Sequence, residues 1–291
     1  MITIFTPTFN RAYIISNLYR SLLRQTNTHF EWLIVDDGST DDTEALITSF
    51  IKEDKIEIRY FKQANGGKHR AINKGVELAK GELFFIVDSD DYLTDDAIVQ
   101  IANTYQIITN DETLAGVSFR RAYDNKQVIG NPAYFDQTIL TVFDFRYRLR
   151  VTGDQAEVYK TDILKAYPFP EIHNEKFCPE SLVWNRIGEK HKLLWTSKSV
   201  YICNYLADGL TAKITKLRME SPIASMFMYS ELESYKIPFK EKIKANINFW
   251  RFSFNTNNVS FSQKLKRVHF LFSLMGFPLG FLLFLNDKRN V

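Results

Sequence analysis

The sequence predicts an α/β protein in which a mixed, mainly parallel sheet is flanked by helices. Three observations support this fold class. Short apolar runs rich in β-branched and aromatic residues alternate with helical patterns, the segments between the runs are long enough to hold helices, and polar turn residues follow the runs. Strands connected in this way lie parallel, with right-handed crossovers and helices on both faces of the sheet.

The predicted elements follow one another regularly through the first part of the chain. We expect strands at residues 2–6, 32–36, 56–61 and 83–87, and helices at residues 14–26, 42–52 and 68–79. Residues 115–211 show a less regular, aromatic-rich pattern, which we interpret as strands and helices that complete the same sheet and build a second binding wall. Beyond residue 212 the pattern is mostly helical.

Composition excludes a disordered chain and reveals a charge asymmetry. With 291 residues and 45% apolar content, the chain is long enough for one large α/β domain with a smaller appendage, or for two compact domains. Residues 1–212 contain 24 Lys and Arg against 29 Asp and Glu, whereas residues 213–291 contain 13 against 5. The basic C-terminal region therefore favours an anionic partner, either nucleic acid or an anionic membrane surface.

The two cysteines and the N-terminus bear on the cellular compartment. Cys178 and Cys203 are too few and too far apart for a disulfide framework or a zinc site, which predicts a reducing compartment. Residues 1–5 lead directly into the first predicted strand and lack a basic region and a cleavage site. We therefore expect no signal peptide.

A cluster of carboxylates follows the predicted strand at residues 83–87. The segment Asp88-Ser89-Asp90-Asp91 places like charges together at the end of a buried strand, where they raise one another's pKa unless a cation is supplied. Oxygen ligands of this kind favour Mg²⁺ or Mn²⁺. The alternative is a loop in which Asp90 or Asp91 caps the following helix.

Two further turns lie where predicted strands end or helices begin. Asp36 and Asp37 follow a strand and can accept hydrogen bonds from a base or a ribose, or can cap the next helix. The segment Asn65-Gly66-Gly67-Lys68 leads into a helix, so its backbone N–H groups and Lys68 can face a phosphate. In open parallel sheets, ligands bind at the carboxyl ends of strands.

Four ordered motifs resemble the signatures of family 2 inverting glycosyltransferases with the GT-A fold. They are residues 6–11, residues 35–41, residues 65–67 together with Ala71 and Asn73, and residues 88–91. The resemblance covers about the first hundred residues at spacings that the predicted strand and helix alternation independently supports. It implies a GT-A domain at residues 1–212, with a nucleotide-sugar-binding half at 1–100 and an acceptor-binding half at 101–212, followed by a basic and apolar helical region at 213–291.

The resemblance also implies roles for individual residues. Pro7, Thr8, Asp36 and Asp37 would surround the nucleoside, Lys68 would lie near the diphosphate, Asp88 near the ribose or a metal-bound water with Ser89 beside it, and Asp90 on the Mn²⁺ or Mg²⁺ ion. The ion would neutralise the diphosphate leaving group as it departs from the anomeric carbon, which is Lewis-acid catalysis.

An inverting transfer also needs a base that takes the proton from the acceptor hydroxyl. The family carries it on a Glu-Asp pair at the start of a helix, with an Arg six residues after the Asp. Glu180 and Arg186 have that interval, so Glu180 stands where the family has Asp and Pro179 where it has Glu. This departure leaves one carboxylate instead of two, and Glu175 and Asp154 are competing candidates.

Residues 204–211 resemble the loop that follows the catalytic helix in this family. By resemblance, Asp208 or Thr211 would approach the metal or the diphosphate, whereas a simple turn containing Gly209 is the alternative. The histidines at 173, 191 and 269 have no mutual spacing typical of a metal site.

Residues 268–285 form an apolar stretch broken only by His269 and Ser273. The stretch is shorter than the roughly 20 residues of a spanning helix, and Gly276, Pro278 and Gly280 are expected to interrupt it. Lys and Arg flank both ends, as suits anionic headgroups. We expect a monotopic or peripheral segment at the cytoplasmic face of the cell membrane, with a docking hairpin, an oligomer contact and a true span as alternatives.

The resemblance therefore implies a metal-dependent hexosyltransferase or N-acetylhexosaminyltransferase of the inverting type. It would move a sugar from a nucleotide diphosphate donor, with UDP favoured, to a hydroxyl of a lipid-linked glycan in surface polysaccharide biosynthesis. The alternatives are a sugar-phosphate nucleotidyltransferase and a catalytically silent glycan-binding or assembly protein on the same fold. A nucleic-acid partner is not expected, because the C-terminal Phe and Leu residues form one continuous block instead of alternating with basic residues.

Overall fold

The structure is a computed structural model that describes residues 1–131, 133, 135–203, 209 and 211–290. Contacts divide the chain into two compact units. One consists of Met1–Pro168 with Lys190–Leu206, and the other of Phe169–Glu189 with Ala207–Val291. This division is discontinuous along the chain, whereas the boundary expected at residue 212 is continuous, and the functional domain limits stay a prediction.

The first unit alternates strands and helices over its first hundred residues. Its elements are β1 (Ile2–Thr8), α1 (Ser16–Leu23), β2 (Phe30–Asp36), α2 (Thr43–Glu53), β3 (Ile58–Lys62), α3 (Lys68–Leu78), β4 (Leu83–Ile86), β5 (Tyr92–Leu93), α4 (Ala97–Gln106), β6 (Leu114–Ala122), β7 (Thr138–Leu140), a π-helical turn (Asp144–Arg148), β8 (Gln155–Lys160), α5 (Thr161–Ala166) and β9 (Lys192–Ile202). The predicted strand and helix order of residues 1–100 is confirmed.

Within the described residues, the strands of this unit form one mixed sheet. Their order is β3-β2-β1-β4-β8-β6-β9-β5, with β7 paired to β9. The first four strands are mutually parallel, as predicted, while β8 runs antiparallel to both β4 and β6. The fold class is therefore confirmed, and the strands after residue 113 complete the sheet that the first half begins.

Every residue of β1 and β2 is buried, including the polar residues that both strands carry among their apolar ones. Glu31 of β2 is one of these polar residues, and its carboxylate accepts hydrogen bonds from Thr3 Oγ1 (2.6 Å), an Arg59 guanidinium nitrogen (2.7 Å) and the Lys80 backbone N–H (2.7 Å). These donors outweigh burial, which by itself would raise the pKa of Glu31, and hold that pKa below its ordinary value.

The second unit is helical in the part that the structure describes. Its elements are α6 (Glu180–Lys190), a 3-10 turn (Thr211–Lys213), α7 (Ile214–Glu220), α8 (Pro222–Ser234), α9 (Phe239–Ser253), α10 (Phe261–Leu265) and α11 (Phe270–Asn290). The helix α11 runs without a break through Gly276, Pro278 and Gly280, contrary to the expected interruption.

Close packing on α9 explains the unbroken helix. A Cβ atom at Gly276 would lie 1.9 Å from Asn246 Oδ1, and one at Gly280 would lie 2.7 Å from the Ile247 carbonyl oxygen. The absence of these side chains lets the two helix backbones approach each other. Pro278 lies on the exposed side of α11, where its ring does not enter this contact.

Candidate functional site

Three loops meet at one edge of the sheet because β1, β2 and β4 are parallel and end there. The Asp37 backbone N–H donates to the Thr8 carbonyl oxygen at 2.8 Å, and the Asn10 N–H donates to Ser39 Oγ at 2.8 Å. The Val87 N–H donates to the Phe5 carbonyl oxygen at 2.8 Å. The structure therefore brings Pro7, Thr8, Asp36, Asp37, Ser89 and Asp90 to one side of the fold, as the parallel arrangement predicts.

The Asp36 carboxylate is fully buried at the last position of β2. Its Oδ1 accepts a hydrogen bond from the Ser39 N–H (2.7 Å), and its Oδ2 accepts one from the Tyr60 hydroxyl (2.6 Å). Burial and the Asp36 carboxylate both raise the pKa of Tyr60, so the phenol stays protonated and donates. A carboxylate has about four acceptor positions, which leaves Asp36 capacity for a ligand.

Asp37 differs from Asp36 because its carboxylate is fully engaged within the protein. Oδ1 accepts from Gln63 Nε2 (2.8 Å) and from the Gly66 N–H (2.9 Å). Oδ2 accepts from Asn65 Nδ2 (3.1 Å) and from the Gly67 N–H (2.7 Å). These four bonds use about all the acceptor positions of a carboxylate, so Asp37 organises the glycine turn before α3. Its predicted contact with the nucleoside stays a prediction.

Gly38 lets the turn after β2 approach the turn before α3. Its φ of +84° lies in the left-handed region, and a Cβ atom there would lie 2.9 Å from the Asn65 backbone nitrogen. Both constraints favour glycine.

Thr8 supplies a polar atom that is buried but unsatisfied. The residue is 3% exposed at the end of β1, and among the described residues nothing forms a hydrogen bond with its Oγ1. An orphaned hydroxyl costs free energy unless a ligand or water satisfies it. The role of Pro7 and Thr8 beside a nucleoside stays a prediction.

Lys68 and Asp88 form an ion pair at the centre of this edge. Lys68 is the first residue of α3, and its Nζ lies 2.6 Å from Asp88 Oδ1. Burial favours the neutral form of Asp88, but Lys68 and Arg121 outweigh burial and hold the pKa of Asp88 below its ordinary value. Asp88 is therefore a carboxylate, and Lys68 carries the positive charge expected near a diphosphate.

The neighbouring carboxylates of Asp90 and Asp91 have less positive charge around them than Asp88 has. Burial and the charge of Asp88 raise the pKa of Asp90, and the same two causes raise the pKa of Asp91 to about 7. A divalent cation held by oxygen ligands would relieve this excess of negative charge. The described part of the chain contains no cluster of three or more His, Cys, Asp or Glu residues able to hold a metal ion. Mg²⁺ is commonly bound by only one or two carboxylates plus substrate phosphates, so Asp88 and Asp90 fit that class of site.

Sequence reasoning missed two residues that contact this loop from β9 and β6. The Tyr201 hydroxyl accepts a hydrogen bond from the Asp88 N–H (2.9 Å), and the Arg121 guanidinium lies 4.2 Å from the centre of the Tyr201 ring. Burial raises the pKa of Tyr201 well above its ordinary value. The adjacent arginines 120 and 121, which lie among apolar residues in the sequence of β6, are the signal that points to a charge partner.

Glu180 lies in the second unit as the first residue of α6 and is half-buried. On the same helix, the Trp184 ring packs edge-on against Phe169 with ring centres 5.6 Å apart. Arg186 forms a two-pronged ion pair with Glu231 of α8, with distances of 2.8 and 2.6 Å. Arg186 therefore ties α6 to α8, and Trp184 belongs to the packing of this unit.

Glu175 has a structural role in the second unit. Its Oε1 accepts from the Ile223 N–H (2.7 Å) and its Oε2 from the Ala224 N–H (2.8 Å), so the carboxylate satisfies the first turn of α8. Asp154, the other competing candidate for the base, is exposed in the first unit. Of the loop at residues 204–211, Asp208 and the side chain of Thr211 lie outside the described residues.

A family profile described as glycosyl transferase family 2 matches residues 3–159, which is more than half of the chain. The chain belongs to glycosyl transferase family 2. The match includes β1 to β4 and their loops, and it ends within β8. The resemblance of the four ordered motifs is thereby confirmed at the level of the family.

Curated relatives match limited parts of this chain. An uncharacterized glycosyltransferase of Rickettsia felis is 42% identical over 97 residues, which is 33% of this chain and 16% of that protein. Glycosyltransferase GlyG of Streptococcus pneumoniae is 35% identical over 34% of this chain and 33% of that protein. Staphylococcus aureus TarS, a poly(ribitol-phosphate) beta-N-acetylglucosaminyltransferase, is 27% identical over 62% of this chain and 30% of that protein. The chain thus matches well under half of the length of each of these relatives.

Solved structures share the fold over nearly the whole chain. Residues 1–349 of S. aureus TarS in complex with UDP superpose with a TM-score of 0.61 at 20% identity, covering 91% of this chain and 77% of that one. The mannosyltransferase PcManGT of Pyrobaculum calidifontis, in complex with GDP-Man and Mn²⁺, gives a TM-score of 0.58 at 16% identity, covering 99% of this chain and 86% of that one. The glycosyl transferase family 2 chain therefore has the GT-A fold.

The four bonds of Asp37 predict a large effect of Asp37→Asn. The amide places an NH₂ group where donors already point, so we expect the free energy of unfolding in urea to fall by about 2 kcal/mol. Asp54→Asn is the control, because Asp54 is exposed and has φ +52°, which asparagine adopts readily. Equal stability of Asp37→Asn and the unsubstituted protein would contradict the role of Asp37 in holding the turn.

Proposed function

We propose that this protein is a metal-dependent inverting glycosyltransferase that uses a nucleotide diphosphate sugar, with UDP as the favoured nucleotide. The acceptor is a hydroxyl of a lipid-linked glycan in surface polysaccharide biosynthesis. The observation that carries the proposal is the meeting of Asp88, Lys68 and the Asp36–Asp37 turn at one edge of the sheet. The neighbour structures with UDP and with GDP-Man support the nucleotide-sugar class.

On the donor side, each residue has a distinct task in the proposal. Asp36 and the unsatisfied Thr8 hydroxyl receive the nucleoside, with Pro7 packing beside it. Lys68 pairs with Asp88 before the donor binds, and it contacts the diphosphate as well when the donor is bound. Its position at the start of α3 allows this contact. Asp88 and Ser89 then face the ribose.

Asp90, with Asp88, would hold a Mn²⁺ or Mg²⁺ ion. Burial and the charge of Asp88 raise the pKa of Asp90, and a bound cation would stabilise its charged form. When bound, the ion supplies positive charge that neutralises the diphosphate leaving group.

We expect Asp90→Ala to abolish Mn²⁺-dependent transfer and donor hydrolysis, because the proposed metal ligand is lost. Product formation from UDP-sugars with added Mn²⁺ measures the effect, and we expect a fall of at least about a hundredfold. Asp95→Ala is the control, since Asp95 forms an exposed ion pair with Arg24 at 2.9 Å that contributes little to stability. Undiminished turnover of Asp90→Ala would rule out the metal assignment.

On the acceptor side, we propose Glu180 as the base that removes the proton from the attacking hydroxyl. Glu180 is half-buried at the first position of α6, the helix start at which the family pattern has its acidic pair. Glu175 is a less favoured candidate for the base, because its carboxylate already accepts two short hydrogen bonds from the backbone of α8. The mechanism therefore relies on one carboxylate, where the family pattern has two.

Glu180→Gln should retain donor binding and lose transfer, because glutamine keeps the shape of the side chain but cannot take up the proton. Calorimetric titration with UDP measures binding, and product formation measures transfer, for which we expect a loss of about a hundredfold or more. Glu189→Gln, at the exposed far end of α6, is the control. A normal transfer rate in Glu180→Gln would move the base to Asp154 or Glu175.

The helix α11 supports an association with the cytoplasmic face of the membrane. Within the described residues it is the one helix long and apolar enough to cross a bilayer, by length and composition alone. Its buried residues form a narrow seam, and the opposite face carries leucines 271, 274 and 282, each more than 60% exposed. Lys266, Arg267, Lys288 and Arg289 lie exposed at its two ends, where they suit anionic headgroups.

The contact between α11 and α9 favours a helix that lies at the membrane surface. Besides the glycine contacts, Arg251 of α9 forms a two-pronged ion pair with Asp287 of α11, with distances of 2.6 and 2.7 Å. A spanning α11 would draw α9, with Lys240, Lys242 and Lys244, into the hydrocarbon region. Charged side chains are costly there, so a monotopic arrangement is favoured.

The double substitution Leu274→Glu with Leu282→Glu should release the protein from membranes without disturbing the seam. Burial of each leucine contributes about 1.5–3 kcal/mol, so we expect co-sedimentation with vesicles of phosphatidylglycerol and phosphatidylcholine to fall at least about tenfold. Ile107→Glu, at a 54% exposed isoleucine of the first unit, is the control. Unchanged sedimentation of the double variant would contradict the membrane proposal.

A further inference from the structure

We infer that Tyr201 is a positioning residue whose hydroxyl holds the carboxylate loop at residues 88–91 in the shape that binds a divalent cation. The inference rests on the proposed metal site and adds a residue from β9 that no motif of the first hundred residues contains. It concerns the shape of the loop and is independent of the acceptor, the base and the membrane.

The Tyr201 hydroxyl holds the first residue of the loop. It accepts a hydrogen bond from the backbone N–H of Asp88 at 2.9 Å. A further bond, from the Asp91 N–H to the Asp88 carbonyl oxygen at 3.1 Å, closes the turn. Tyr201 therefore fixes the residue on which the turn closes, and Asp90 lies within that turn.

The ring of Tyr201 is held too firmly to follow movements of the loop. It is completely buried, and it packs edge-on against Phe85 of β4 with ring centres 6.0 Å apart. On another side the Arg121 guanidinium lies 4.2 Å from the ring centre, with its Nε donating to the Gln155 carbonyl oxygen at 2.8 Å. The backbone pairs with Leu93 of β5, directly after the loop. The hydroxyl therefore has a fixed position.

Loss of this hydroxyl would affect the loop in a specific way. The Asp88 N–H would lose its acceptor in a partly buried setting, which favours a different loop shape. Groups that orient metal ligands commonly change metal affinity by 10–100-fold when removed. Phenylalanine at position 201 keeps the packing with Phe85 and Arg121 and removes only the oxygen.

Tyr105 provides a matched control for the loss of a buried hydroxyl. It is 8% exposed, and its hydroxyl donates to the Glu82 carboxylate at 2.6 Å. Glu82 immediately precedes β4, so this bond lies at the opposite end of the same strand. If Tyr201 had a purely structural role, Tyr201→Phe and Tyr105→Phe would lose similar amounts of stability and would have the same affinity for Mn²⁺.

The test measures Mn²⁺ binding directly by electron paramagnetic resonance of the full chain with saturating UDP, together with thermal stability. We expect Tyr201→Phe to weaken Mn²⁺ binding by about tenfold and Tyr105→Phe to leave it unchanged, with comparable melting temperatures. Unchanged Mn²⁺ affinity in Tyr201→Phe, or equal losses in both variants, would overturn the inference alone. Absence of Mn²⁺ binding in the unsubstituted protein would overturn both this inference and the proposed metal site.

Discussion

Negative charge at the end of a buried strand is the constraint on which the rest of this site depends. β4 ends among apolar residues, and of the carboxylates that follow it Asp88 and Asp90 are partly buried and Asp91 is buried. Lys68 compensates Asp88 directly at 2.6 Å, and Arg121 adds positive charge from β6. The remaining excess on Asp90 and Asp91 is the physical reason for proposing a divalent cation there.

A second network prepares the nucleotide side of the same edge. Asp36 and Asp37 are adjacent, yet their carboxylates differ in how many hydrogen-bond acceptor positions remain for a ligand. The Asp37 carboxylate accepts hydrogen bonds from the turn at residues 63–67. These bonds fix the start of α3 and thereby the position of Lys68. The turn, the ion pair and the carboxylate loop are thus mechanically connected, so a change at Asp37 is expected to reach Asp88 through α3.

The sequence allowed the sheet and the edge of the site to be predicted because these features are encoded locally. Apolar runs such as residues 83–87 mark buried strands, and the parallel arrangement then forces their C-terminal loops together. The partners of the loops were not predictable in the same way. Tyr201 is 113 residues from Asp88 in sequence, and no local pattern distinguishes it from other buried aromatic residues. The unbroken helix through Pro278 was likewise missed, because it depends on packing against α9.

The central claim is that this family 2 chain binds a nucleotide diphosphate sugar together with a divalent cation at the carboxyl edge of its sheet. The most direct measurement is the melting temperature of the protein with a panel of nucleotide sugars, each with and without Mn²⁺. The account predicts that UDP-sugars raise the melting temperature and that Mn²⁺ increases this shift. An unchanged melting temperature with every nucleotide sugar, with or without Mn²⁺, would contradict it.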